Sequence, residues 1–136
     1  MAEASKKPRP EFRNIGIRQI LSYRLPLAGM VSILHRISGA LLFLSLPFAL
    51  YLFEQSLASA TSFEVLKGFA SGVLVKLSLL LVIWAFAFHF FAGLRHLLMD
   101  MHYGVAKAAS KKTAAVVFVL SSIVTFAIAL KLFGVF

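Results

Sequence analysis

The sequence predicts an all-α membrane protein of three transmembrane helices, N-terminus cytoplasmic and C-terminus on the opposite side. Three observations carry that reading. Of 136 residues, 60% are hydrophobic and 14% charged, with a mean hydropathy of +0.90, whereas a soluble domain reaches about 45–50% apolar even with glycine counted. Residues 37–53, 77–94 and 113–130 are runs of 17, 18 and 18 residues without Lys, Arg, Asp or Glu. Each is close to the roughly 20 residues that cross a bilayer core. Finally, six Lys and Arg precede residue 28 and three lie in the second connection, against Lys67 alone in the first. That asymmetry sets the orientation.

Taken in order, residues 1–26 form a basic segment. Lys6, Lys7, Arg9, Arg13, Arg18 and Arg24 stand there against only Glu3 and Glu11. It is not a secretory signal peptide, because the apolar run that follows is too long and no small-residue cleavage site ends it. Ile15, Ile17, Ile20 and Leu21 alternate with Arg18 and Gln19, as in a short surface helix. Pro26 suits the first turn of the next helix. The transmembrane unit occupies 27–133, with spans at about 27–53, 72–99 and 113–133. Pro47 is placed to kink the first span. The linker 54–71 is polar and rich in Ser and Ala, with a short interfacial turn at 63–69. Residues 100–112 form a loop carrying Lys107, Lys111 and Lys112. Lys76 and Lys131 snorkel to the far interface.

Composition also excludes. The chain has no cysteine, so it forms no disulfide, holds no thiolate-ligated cluster and attaches no haem through C-x-x-C-H. Its formal charge of +9 belongs to the flanks of apolar spans. Nucleic acid is not a partner, since the basic residues are not interleaved with aromatics on a polar surface.

The chemistry concentrates at the end of the second span, in His89, Gly93, Arg95, His96 and Asp100. On a helix, His89, Gly93, His96 and Asp100 share one face, and Arg95 lies about 100° around from His96. An imidazole inside a membrane helix is a functional candidate by default, and the glycine one turn away leaves room for something large and flat. Together these suggest a haem axial ligand. The first span begins with Ser32, His35, Arg36 and Gly39 at i, i+3, i+4 and i+7, again one face. The two clusters meet at one membrane depth if the helices alternate in direction. A porphyrin there would offer iron to His89 and propionates to the cations. A quinone carbonyl would suit a serine hydroxyl beside a guanidinium. Plainer readings stand alongside. His35 and His96 can bond across helices, Arg36 and Arg95 can anchor at the interface, and Gly39 and Gly93 can permit close packing. Asp100 is a loop residue that can pair with Arg95, His102 is exposed, and Phe86, Phe88, Phe90 and Phe91 face lipid.

Two motifs carry a resemblance: Ser32-x-x-His35-Arg36-x-Ser38-Gly39, and His89-x-x-x-Gly93-Leu94-Arg95-His96-x-x-Met99-Asp100. Together, in this order on three helices, they resemble the cytochrome b556 membrane-anchor subunits of succinate dehydrogenase (succinate:quinone oxidoreductase, respiratory complex II). The likeness covers roughly residues 24–133. One departure is that Arg9-Pro10 stands farther before Ser32 than the family's Arg-Pro. The resemblance implies that His89 is the haem b iron ligand from this chain, and that His35, Arg36, Arg95 and His96 contact the propionates. It implies that Ser32 and Arg36 line the ubiquinone pocket. It implies three partners: a second small anchor subunit with the other axial histidine, an iron–sulfur subunit, and a flavoprotein subunit with FAD. No residue for succinate oxidation is expected in this chain. The bacterial inner membrane is expected over the mitochondrial one, as no transit peptide is evident. A fumarate reductase-type anchor and a haem-free tether for soluble redox subunits remain the alternatives. A small multidrug transporter fits poorly, since no acid lies within the spans.

Overall fold

A computed structural model describes residues 16–135. The expected roles of Lys6, Lys7, Arg9-Pro10 and Arg13 lie outside the described residues. Helices make up 86% of the described chain and none of it forms a strand. The order is α1 (Ile17–Ser22), α2 (Leu27–Ala58), α3 (Ala60–Ala70), α4 (Val73–Asp100) and α5 (Lys107–Leu132). Of these, α2, α4 and α5 are long and apolar enough to cross a membrane.

The distribution of side chains is that of a lipid-bathed bundle. Phe43, Leu44, Phe86 and Phe126 are each more than half exposed, an arrangement that costs about 25 cal/mol per Å² in water and nothing in hydrocarbon. Small residues are instead what the helices bury against one another: Ala85, Ala87, Ala92, Ala114, Ser38 and Ser121. Between membrane helices the apolar driving force is absent, so close backbone approach at small residues holds the contacts. The central element is α4, packed against α2 on one side and α5 on the other. Val31, Phe88, Ala92, Ala114 and Val117 form the common core. Phe88 is fully buried, its ring 5.5 Å from Trp84 and 5.3 Å from Phe118. This corrects its expected lipid-facing place: Phe86 and Phe90 are exposed, while Phe88 turns inward where α5 needs filling.

Pro26 lies just outside α2, as its extended N-cap (φ −65°, ψ 154°), rather than in the first turn. The helix continues through Pro47, whose missing N–H leaves the Phe43 carbonyl without its helical donor, and runs past residue 53 to Ala58. The linker then folds as α3 instead of a turn. Ser59 caps it: its hydroxyl accepts from the Ser62 N–H at 3.0 Å, and the Ser59 N–H donates to the Ser62 hydroxyl at 3.0 Å. The second loop is shorter than expected, because α5 starts at Lys107 and takes Lys111 and Lys112 onto the helix. The remaining turn reverses through His102 (φ 64°) and Gly104 (φ 74°), in the left-handed region that glycine enters freely. His102 is exposed. The short turn makes α4 and α5 antiparallel, and Lys76 of α4 accordingly meets Phe133, just past α5, with Nζ 5.5 Å from the ring.

Candidate functional site

The seam between α2 and α4 gathers three imidazoles. His35 of α2 stacks on His89 of α4, ring centroids 4.1 Å apart and planes 14° apart. His96, two turns farther along α4, lies 5.2 Å from His35 at 48°. The spacing of seven puts His89 and His96 on one face, and His35 fits between them. A glycine makes this approach possible. A Cβ at Gly39 would sit 2.8 Å from His89 Cε1, closer than real contacts allow. At Gly93 a Cβ would meet His35 Nε2 at 3.4 Å, an ordinary contact. The space beside Gly93 is thus bordered by the His35 ring, and the tighter constraint is at Gly39.

The His89 ring is fixed by its inner nitrogen. Nδ1 lies 3.1 Å from the His35 carbonyl oxygen and 3.3 Å from Ser38 Oγ, while Ser38 Oγ donates to the same carbonyl at 2.9 Å. A carbonyl only accepts, so Nδ1 carries the hydrogen and Nε2 of the neutral ring keeps its lone pair. Among the described residues Nε2 has no hydrogen-bond partner, and no buried side-chain nitrogen or oxygen lacks one. Nε2 is therefore not sealed inside the three-helix unit. Ser38, 1% exposed, is a site residue to which the sequence assigned no role. Its place in the first motif, three after His35, was the available signal.

Ser32 and Arg36 follow one another by a turn at the same end of α2, Ser32 half-buried and Arg36 exposed. Ser38, Ser45 and Ser56 of this helix each donate to the carbonyl three residues back. Among the described residues neither the Ser32 hydroxyl nor the Arg36 guanidinium has such a partner, so both are available to a ligand.

Arg95, grouped with His96 as a propionate contact by the resemblance, is directed elsewhere. Its side chain is 5% exposed and turned to α5: Nε donates to Thr113 Oγ1 at 3.1 Å, and Nη2 donates to Ser110 Oγ at 2.9 Å and the Ser110 carbonyl at 3.4 Å. The 100° of helix rotation between Arg95 and His96 sends one to each neighbour. The Asp100 pairing is likewise replaced, since Asp100 is exposed and these donors go to α5. Ser110 and Thr113 were not legible as partners because the loop was expected to reach past Ser110. His35 stacks on His89 and His96 is tilted against His35, and no group of three or more His, Asp or Glu among the described residues is arranged to hold a bare metal ion.

Three apolar spans with an imidazole cluster in one seam define a histidine-bearing transmembrane subunit. Residues 6–128 match the family model of the succinate dehydrogenase/fumarate reductase transmembrane subunit, and the chain belongs to that family. Among its relatives, the succinate dehydrogenase cytochrome b556 subunit of Coxiella burnetii is 37% identical over 105 residues, covering 76% of this chain and 84% of the relative. The subunit of the same name from Paracoccus denitrificans is 29% identical over 136 residues and covers both chains fully. That of Rickettsia felis is 32% identical over 103 residues, 76% of this chain and 80% of the relative.

Proposed function

We propose that this chain anchors a succinate:quinone oxidoreductase in the bacterial inner membrane, N-terminus cytoplasmic, shares haem b with a second anchor subunit, and forms part of the ubiquinone-reducing site. The observation that carries the reading is the orientation of His89. Its Nδ1–H is bonded to the His35 carbonyl, and its Nε2 lone pair is uncommitted among the described residues. This is a tautomer that a metal-bound histidine adopts, and the carbonyl bond orients the ring. The residues present therefore fit a haem. His89 would give the axial bond; the ring N–H groups of His35 and His96 and the Arg36 guanidinium would hold the propionates. Arg95 contributes little there, as its donors hold α5. A second anchor subunit would hold the same haem with a histidine of its own. When bound, haem b supplies a one-electron iron centre whose potential the axial ligand and surrounding hydrogen bonds tune.

For the quinone, Ser32 donates its hydroxyl to one carbonyl oxygen, and the Arg36 guanidinium stabilises the negative charge that grows on reduction. Both are uncommitted and share one end of α2 with His35. The flavin and iron–sulfur clusters belong to two soluble partner subunits, which deliver the electrons from succinate. A fumarate reductase-type anchor is the second reading, favoured by the family description that covers both enzymes.

The test is a dithionite-reduced minus oxidised spectrum of the complex purified with its partner subunits, beside the His89→Leu variant. A b-type α-band that is lost or shifted in the variant is expected. A spectrally normal haem in His89→Leu would overturn the ligand assignment, and absence of the band from the unaltered complex would leave a haem-free tether.

A further inference from the structure

At the membrane face where α4 ends and α5 begins, a groove of about 220 Å³ runs between the two helices. Phe91, Leu94 and Leu98 wall it from α4, Val116 and Leu120 from α5, and Arg95 is the one charged residue in its lining. From Met99 to Phe91 it extends about 12 Å along α4, at 1.5 Å per residue.

The charge around the groove is one-sided. Nε and Nη2 of Arg95 are spent on α5, but Nη1 has no partner among the described residues, and no buried nitrogen there lacks one. Nη1 therefore reaches open space from a side chain that is 5% exposed. Ser110, which Arg95 grips, lies in the first turn of α5. That turn has no side-chain cap and no acidic residue, so its leading N–H groups and the helix dipole face outward unsatisfied. Exposed Lys107, Lys111 and Lys112 surround it, and Asp100 is the one acid after Glu64 in the sequence. The combination is an apolar slot open to lipid, headed by a buried guanidinium and a basic rim at interface depth. An amphiphile without phosphate would leave those donors unanswered, and a zwitterionic one would bring its own cation against the lysine rim. An anionic headgroup on an acyl chain answers both halves.

We infer that the α4/α5 groove binds one anionic phospholipid, its phosphate on Arg95 Nη1 and the first turn of α5, one acyl chain along Leu94, Leu98, Val116 and Leu120. The site lies on the opposite face of α4 from His89 and does not depend on the haem and quinone reading.

Native mass spectrometry of the delipidated complex, offered phosphatidylglycerol or phosphatidylcholine of the same chain length, tests it. Phosphatidylglycerol is expected to be retained about tenfold more strongly, a margin of one decade in Kd, and inorganic phosphate is expected not to displace it. Val116→Trp with Leu120→Trp fills the slot without touching a cation, and Lys107→Gln with Lys111→Gln and Lys112→Gln removes the rim from exposed positions. Each combination is expected to lower phosphatidylglycerol retention about tenfold while the haem spectrum stays unchanged. Equal retention of the two lipids, undiminished retention in the filled-groove variant, or displacement by inorganic phosphate would overturn the proposal. Should the tryptophan variant fail to assemble, undiminished retention in the lysine variant overturns it equally.

Discussion

Between α2 and α4 the polar groups are three imidazoles and a buried serine, pressed together across Gly39; between α4 and α5 they are one guanidinium held by Ser110 and Thr113. Both sets spring from the same last turns of α4, yet they do opposite things. In the first seam the internal hydrogen bonds fix a ring and leave its lone-pair nitrogen uncommitted. In the second, three hydrogen bonds from a cation tie two helices together. An oriented group with an unspent atom is equipped to bind; a group whose donors are mostly spent is equipped to fasten. On the proposed function the first seam would carry the cofactor, while the second fastens α4 to α5.

Arg95→Gln should break the second seam. Loss of charged hydrogen bonds from a buried group is expected to cost about 2–4 kcal/mol, read as a lowered melting temperature of the complex, with haem retained by every complex that still assembles. Arg36→Leu and Ser32→Ala should slow quinone reduction by about tenfold or more, as removed transition-state donors do, with the haem spectrum unaltered in Ser32→Ala. Normal quinone kinetics in both would remove them from the pocket. The two glycines sharpen the contrast within the first seam. Gly39→Ala forces the His89 ring away from its carbonyl bond and is expected to shift the haem band and midpoint potential. Gly93→Ala meets His35 at an ordinary distance and is expected to shift them less; the reverse order would contradict the packing. Smallest is Ser38→Ala, which removes one hydroxyl but keeps the carbonyl acceptor. It is expected to cost about 1 kcal/mol and to leave haem content unchanged by absorbance.

The helices themselves were legible because lipid demands long charge-free runs, and residues 37–53, 77–94 and 113–130 supply them. Their ends were less so. Hydropathy marks where the hydrocarbon stops, whereas backbone hydrogen bonding carries a helix on into the interface, as at Ala58 and at Lys107. The helix α3 was hidden because its capping box uses Ser62 where a Glu or Gln would have announced it. At the site, periodicity put His89 with His96 and His35 with Ser32 on single faces. It also put Arg95 about 100° away from His96. What periodicity does not contain is which neighbour lies at 100°, and α5 does. Ser38 was missed for a related reason: its role comes from a contact across helices to a residue 51 positions later.

The measurement that bears most directly on the division between the seams is haem content per assembled complex, in His89→Leu and Arg95→Gln side by side. The account predicts that haem falls close to zero in His89→Leu, and that it stays near the unaltered ratio in those Arg95→Gln complexes that assemble. Haem retained in His89→Leu and lost from assembled Arg95→Gln would contradict it, and would move the cofactor to the other face of α4.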